Sequence, residues 1–199
     1  MLGKADKYEA KAANAKPLLG RIAFQGQATM IYTAPGAGKT LLTIALITQG
    51  VLNGAFDPSA VYYINADDNN AGLATKLRLF QDLGVNMLAP GCEGFRVSHL
   101  IDLLRECIEN GSASGLLIIL DTMKKFANLM NKNEMRDFNQ LLREATTAGA
   151  TIVALGHTAK NPHPNGTLRY QGTTDVLEDF DAVYLAAYPQ RARHQAGKT

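Results

Sequence analysis

The fold of this chain is decided by residues 28–51, which read ATMIYTAPGAGKTLLTIALITQGV. The first six of these residues form a short apolar run, which is typical of a buried strand. A glycine-rich turn follows, and Leu41–Val51 is apolar on most faces, so we expect a buried helix that ends near Gly50 and Gly54. A strand, a glycine-rich turn and a helix in this order predict a backbone cradle for phosphate groups.

The turn itself is Thr33–Thr40, with the sequence TAPGAGKT. Gly36 and Gly38 allow the backbone to curl so that its N–H groups converge on phosphate oxygens. The Lys39 ammonium is predicted to reach the β- and γ-phosphates of ATP, and the Thr40 hydroxyl to ligate Mg²⁺. The strict pattern begins with glycine, where this chain has Thr33. The predicted nucleotide-binding residues are Ala34, Pro35, Gly36, Ala37, Gly38, Lys39, Thr40 and Leu41.

The same Gly-Lys-Thr tripeptide occurs again at residues 197–199. That copy has no apolar strand pattern before it and no helix pattern after it. Since a phosphate loop needs both neighbours, we assign no function to the second copy. The two copies together indicate that context, and not the tripeptide alone, identifies the nucleotide site.

Length and composition limit the classes of protein to consider. The chain has 199 residues, is 46% apolar and 19% charged, and carries a formal net charge of +2. Any nucleic-acid contact must therefore come from a local basic patch. Cys92 and Cys107 do not form a CxxC pair and no zinc-site pattern lies nearby, so we expect reduced thiols.

The N-terminal region differs from the rest of the chain. Residues 1–18 are rich in Lys, Ala and Glu and predict a leader or arm, followed by one domain over residues 19–199. The leader has charges throughout and no apolar run, so we do not expect a signal peptide. No apolar run approaches the length of a membrane span, and a cytoplasmic location is expected.

Predicted strands and helices alternate along the chain. This alternation predicts an α/β fold with a mostly parallel central sheet and helices on both faces. Ser98 is a candidate N-cap for the third helix. The predicted strands are 28–33, 60–65, 95–97, 116–120, 151–155 and 182–186, and the predicted helices are 41–51, 72–83, 99–110 and 134–147.

Acidic residues follow two of the predicted strands. Asp121 ends the most apolar run and is the candidate carboxylate for the Mg²⁺ shell; a helix N-cap is the alternative. Asp67 and Asp68 follow the strand at 60–65, and we prefer Asp67 as the base or water-orienting group. The alternative for this pair is a solvated turn. His157 follows a third strand and could sense the γ-phosphate, although a lone histidine is more often structural.

These segments together resemble the RecA-like ATPases, and within them the hexameric replicative helicases of the DnaB and RepA type. The resemblance covers about residues 17–187. It implies a sheet order of 5-1-4-3-2, a compact or truncated domain, and a catalytic role for Asp67, where the family usually has glutamate. It also implies a γ-phosphate sensor at His157. The segments are Gly26-Gln27, TMIYTAPGAGKT, VYYINADD, LLIILDTMKKF, TIVALGHTAK and RYQGTTDVLEDFDAVYL.

The resemblance further implies single-stranded DNA as a partner, a ring of six subunits and contacts with replication proteins such as primase. Arg169, Arg191 and Arg193 are the candidates for an arginine finger. Two basic loops are candidates for DNA contact, although a solvated loop is the alternative for each. Their basic residues are Lys124 and Lys125 beside Phe126, and Lys160 and Arg169.

Two other classes of function stay open. A regulatory ATPase of this fold would switch a protein partner without unwinding DNA. A small-molecule or nucleotide kinase of this size usually carries a lid with several arginines, and the sequence contains no clear lid of that kind.

Overall fold

The computed structural model describes residues 16–67, 70–126, 132–159, 169–170 and 179–187. Residues 1–15 of the predicted leader lie outside the described ranges. The strands are β1 (Pro17–Leu19), β2 (Ala23–Phe24), β3 (Ala28–Thr33), β4 (Val61–Asn65), β5 (Asn86–Leu88), β6 (Leu117–Asp121), β7 (Thr151–His157) and β8 (Ala182–Ala186). The helices are α1 (Lys39–Leu52), α2 (Asn70–Leu83), α3 (Val97–Glu109) and α4 (Lys132–Thr147), with short 3₁₀ turns at Pro58–Ala60 and Met123–Lys125.

The central sheet has six strands in the order β5-β4-β6-β7-β3-β8, and each adjacent pair is parallel. The predicted α/β fold is therefore confirmed, together with the order 5-1-4-3-2 of its five principal strands. β5 adds a sixth strand at the edge beside β4. A separate antiparallel pair, β1 and β2, lies within the boundary region between the predicted leader and domain.

Two local predictions around α3 are wrong. The strand expected at 95–97 does not form, because Arg96 has extended backbone at the N-cap and Val97 already begins the helix. Ser98 therefore lies inside the first turn of α3 and does not cap it. The edge strand of this region is β5, whose sequence Asn-Met-Leu is short and begins with a polar residue, so it gives little β signal.

The strands bury one row of side chains on each face of the sheet. Side chains alternate between faces along a strand, so Ile118 and Leu120 pack with α3 and α4, whereas Leu117 and Ile119 pack with α1 and α2. Asp121 continues the second row by the same alternation. This three-layer arrangement places Asp121 on the face that α1 and α2 cover.

Helix α1 is more amphipathic than its composition indicates. The prediction of a buried helix over residues 41–51 is wrong for Leu41 and Leu42, which are 73% and 40% exposed. The buried positions include Thr43 and Ile47, which are one helical turn apart. An apolar residue at the surface is common in proteins, so the leucine count overestimated the burial of α1.

Tyr32 in β3 fixes its neighbours at the centre of the sheet. Its register partner in β7 is Gly156, where an added Cβ would lie 2.5 Å from the Tyr32 ring. The opposite contact is with Tyr170, whose ring centroid is 5.0 Å away in an edge-on arrangement. Burial, with a smaller contribution from Tyr170, raises the pKa of Tyr32 to about 12.

Polar contacts fasten β8 to the sheet. Asp181 Oδ2 accepts a hydrogen bond from the Ala28 backbone N–H at 2.7 Å. Asp179 accepts from Asn139 Nδ2 at 3.0 Å and pairs with Arg143 Nε at 3.1 Å, both on α4. These contacts fix the chain just before β8, which matches its predicted bounds. In the part of the chain described, none of the helices has both the length and the apolar character to cross a membrane.

Candidate functional site

The turn between β3 and α1 has the backbone of a phosphate cradle. Gly36 and Gly38 adopt left-handed conformations with φ values of 74° and 79°, which glycine adopts at little cost. The Ala37 N–H donates to the Ala34 carbonyl at 3.1 Å and tightens the turn. Among the described residues, no side chain caps the N-terminus of α1, so its first N–H groups can bind an anion.

Lys39, at the start of α1, is 8% exposed. Its Nζ lies 3.5 Å from Nε2 of His157, at the end of β7. A buried ammonium needs an anionic or hydrogen-bonding partner, and a neutral imidazole nitrogen supplies only one lone pair. The position of Lys39 at the cradle therefore fits a ligand that brings negative charge.

Two hydroxyl donors and one ammonium lie around the same oxygen of the Asp121 carboxylate, which is 2% exposed. Thr40 Oγ1 donates to Oδ2 at 3.0 Å, and the Tyr63 hydroxyl donates to the same oxygen. Lys76 Nζ lies 3.6 Å from it. The other oxygen, Oδ1, is buried and has no hydrogen-bond partner within the described residues.

The oxygen atoms of Asp121 and Thr40 are suited to bind Mg²⁺. A buried carboxylate oxygen with spare acceptor capacity beside a threonine hydroxyl is the oxygen chemistry that Mg²⁺ prefers. No cluster of three or more His, Cys, Asp and Glu side chains is placed to hold a metal in the described ranges. Thr40 and Asp121 would therefore share the ion with nucleotide phosphates and water. Asp121 does not cap the following 3₁₀ turn, whose N-cap is Thr122.

Asp67, the preferred candidate for the base, lies just beyond β4. Its Oδ2 is 3.5 Å from His157 Nε2, and its Oδ1 is 3.9 Å from Lys124 Nζ. The side chain is 32% exposed, so water can reach it. Asp68, the second candidate, lies outside the described residues.

His157 lies between a cation and an anion. Its Nε2 faces both Lys39 and Asp67 at 3.5 Å. Burial and the Lys39 charge lower the pKa of His157, while the contact with Asp67 acts in the opposite direction. A neutral ring can accept from Lys39 or donate to Asp67 through Nε2, but not both. The choice of tautomer therefore depends on which neighbour a ligand engages.

Two residues of this site, Tyr63 and Lys76, were not predicted from the sequence. Tyr63 lies within β4 and reads as one more apolar strand residue, and Lys76 lies in the second turn of α2 among other polar residues. The Lys76 ammonium also lies 5.6 Å from the centre of the Tyr63 ring. The only sequence signal is the expected orientation of β4 and α2 toward the carboxyl end of β6.

The residues predicted for DNA contact and for an arginine finger lie in several parts of the chain. Lys124 and Lys125 lie in the 3₁₀ turn after β6, and the neighbouring Phe126 is 6% exposed and packs in the core. Arg169 is exposed, and its carbonyl accepts from the Ala159 N–H at 2.7 Å. The remaining candidates, Lys160, Arg191 and Arg193, lie outside the described residues.

Comparison with protein families matches residues 2–163 to the family described as AAA domain. The matched region includes the phosphate cradle, Asp67, Asp121 and His157. A search of curated proteins found no significant match.

Proposed function

The chain belongs to the AAA domain family of P-loop ATPases, and we propose that it couples ATP hydrolysis to the binding and translocation of single-stranded DNA. In this proposal it is the motor domain of a replicative helicase. The working form is a ring of six copies that contacts other replication proteins, such as a primase. The resemblance to helicases of the DnaB and RepA type supports these finer statements.

The observation that carries the proposal is the meeting of four parallel strands at their carboxyl ends. β3 leads to Lys39 and Thr40, β4 to Asp67, β6 to Asp121 and β7 to His157. Ligands of open α/β sheets bind at this edge. Three contacts join these side chains in pairs: Lys39 with His157, His157 with Asp67, and Thr40 with Asp121, at distances of 3.5, 3.5 and 3.0 Å.

The proposed reaction uses each group for one task. The backbone of the cradle and Lys39 bind the triphosphate, while Thr40 and Asp121 hold Mg²⁺, which supplies positive charge to the phosphate oxygens. Asp67 orients the attacking water and accepts its proton. His157, whose neutral form is favoured, hydrogen-bonds near the γ-phosphate and exchanges partners when that phosphate leaves.

The link from hydrolysis to DNA is proposed to pass through the chain after β7. Thr158 forms an antiparallel bridge with Tyr170, and Ala159 hydrogen-bonds to Arg169. The two ends of segment 160–168 are therefore joined directly beside His157. Only Thr158 and Ala159 separate His157 from this segment. Lys160, at its start, and Arg169, directly after it, are basic residues suited to a DNA backbone. Arg169 is also the candidate arginine finger that the described residues include.

One observation favours the second candidate function, a regulatory ATPase that switches a protein partner. The described part of the segment after β6, residues 122–126, offers no exposed stacking group, because Phe126 is buried. Lys124 in the same segment is paired with Asp67. Single-stranded DNA binding usually combines basic and aromatic groups. DNA contact in this chain would therefore depend on the segment after β7.

The test compares ATP hydrolysis with and without oligo-dT at low and high salt. We expect oligo-dT to raise the rate at low salt, and the effect to fade as salt increases, because phosphate contacts release counterions. Lys39→Ala should abolish turnover, whereas Arg78→Ala, an exposed position on α2, should not. A rate of ATP hydrolysis that oligo-dT does not change at any salt concentration would support the regulatory ATPase. Unimpaired turnover in Lys39→Ala would contradict the nucleotide site.

Assembly is tested by sedimentation of the chain with an ATP analogue and oligo-dT. The helicase proposal expects a ring-sized particle that carries the oligonucleotide. A monomer under all conditions would oppose assembly of this chain into a ring.

A further inference from the structure

Lys76 is a second buried cation at the proposed nucleotide site. Its side chain is 13% exposed, and its Nζ lies 3.6 Å from Oδ2 of Asp121. The ammonium also lies over the ring of Tyr63, at 5.6 Å from its centre. Neither the phosphate-loop motif nor the roles proposed above involve this side chain.

One partner of Lys76 is the carboxylate proposed to hold Mg²⁺. Asp121 is 2% exposed, and removing an ion from water is costly unless an opposite charge is close. Lys76 supplies that charge in the absence of nucleotide. The ammonium and the hydroxyls of Thr40 and Tyr63 all contact Oδ2, which leaves Oδ1 without a partner in the described structure.

We propose that Lys76 is a positioning residue that holds Asp121 through Oδ2 and, as a resident counter-charge, makes capture of a divalent cation depend on nucleotide. This inference rests on the proposed ATPase site. A divalent ion that arrives alone must bind next to the Lys76 ammonium and is repelled by it. An ion that arrives with nucleotide brings phosphate charges that offset the repulsion. Lys76 therefore weakens the binding of a divalent ion that arrives alone. It weakens the binding of a metal–nucleotide complex less.

The experiment measures Mn²⁺ binding by electron paramagnetic resonance at pH 8, first without nucleotide and then with ADP. Lys76→Met removes the charge and keeps most of the side-chain length. Without nucleotide we expect its Mn²⁺ dissociation constant to fall by about tenfold relative to the unaltered chain. With ADP the fall should be about threefold or less.

The controls separate charge from shape. Lys76→Arg keeps the charge and should retain weak binding of Mn²⁺ alone, whereas Lys76→Gln should bind it as Lys76→Met does. Arg78→Met removes an exposed cation from the same helix and should change neither constant. If Lys76→Met unfolds, Lys76→Gln carries the test, and circular dichroism verifies the fold of each variant.

Thermal unfolding gives a second measurement. Loss of the counter-charge should lower the Tm of the ligand-free protein and enlarge the rise in Tm on adding Mn²⁺. If Lys76 had only a structural role, its replacement would lower the Tm without Mn²⁺ and the Tm with Mn²⁺ by the same amount. Unchanged Mn²⁺ affinity in Lys76→Met and Lys76→Gln would overturn the inference while leaving the ATPase proposal intact. Failure of the unaltered chain to bind Mn²⁺ with ADP would overturn both.

Discussion

The Thr40 hydroxyl donates to Oδ2 of Asp121 at 3.0 Å, which joins the first turn of α1 to the end of β6. The two residues are 81 positions apart in the chain. The parallel pairing of β6 with β7, and of β7 with β3, brings their strand ends to one edge. The contact links the two groups proposed to hold Mg²⁺ before the ion binds.

Thr40→Val should weaken Mg²⁺-dependent nucleotide binding. Valine keeps the shape of threonine but lacks the hydroxyl, so the proposed metal ligand and the hydrogen bond to Asp121 are both lost. We expect the dissociation constant of an ATP analogue with Mg²⁺ to rise at least about tenfold by isothermal titration calorimetry. Thr48→Val is the matched control, since the Thr48 hydroxyl donates to the Ile44 carbonyl within α1. Equal affinity in both variants would contradict the role of Thr40.

Asp67→Asn should slow hydrolysis and leave nucleotide binding intact. The amide keeps the size of the side chain but cannot accept the proton of the attacking water. We expect kcat to fall by about 10²- to 10⁴-fold in a steady-state phosphate-release assay. Asp82→Asn, an exposed position at the end of α2, serves as the control. Normal turnover in Asp67→Asn would move the base elsewhere, with Asp68 as the next candidate.

The pH dependence of stability should report on His157. Burial and the Lys39 charge lower its pKa in the folded state, below the value of about 6.5 in unfolded chains. Between these two values the unfolded chain binds more protons, so stability increases with pH across this window. The contribution of neutral His157 is complete above about pH 6.5 and is lost as pH falls through the lower, folded-state pKa.

His157→Gln should therefore flatten the dependence of Tm on pH below about 6.5. The measurement is differential scanning calorimetry over a series of buffers. His99→Gln, an exposed position on α3, controls for the loss of a histidine. A His157→Gln profile that matches the unaltered chain would show that this ring does not contribute to acid destabilisation.

Gly156→Ala should destabilise the centre of the sheet. The new Cβ would lie 2.5 Å from the ring of Tyr32, and both residues lie in buried strands that cannot separate without loss of backbone hydrogen bonds. We expect the free energy of unfolding to fall by about 1–3 kcal/mol in urea denaturation. The double variant Gly156→Ala with Tyr32→Leu should recover part of the loss relative to Tyr32→Leu alone. Additive effects of the two changes would contradict a direct clash.

Structural features that depend on neighbouring residues in the chain were the easiest to predict from the sequence. β3 and β8 have the predicted bounds, because each is an apolar run between clear breaks. β5 was missed, since three residues carry too little pattern, and it forms through pairing with β4. The exposure of Leu41 was also missed, because composition does not show which side of a helix faces the sheet.

The same distinction holds within the site. The cradle residues and Asp121 were predicted as site residues because their motif and strand contexts are local, and the structure places Thr40 in contact with Asp121. Lys76 could not be found in this way, since its contact with Asp121 depends on how α2 packs against the sheet. The neighbours of His157 likewise come from α1 and the end of β4. Local patterns therefore predict the groups that bind, while tertiary packing decides which groups adjust them.

The bridge between Thr158 and Tyr170 divides the path from β7 to β8 into two independent spans. Loop-closure entropy grows only slowly with length, and each span is closed by its own anchors. Residues inserted into 160–168 would lengthen the first span while its two anchors, Thr158 and Tyr170, stay paired. This part of the molecule can therefore vary in length during evolution, or accept an engineered tag, while the register of the sheet is preserved.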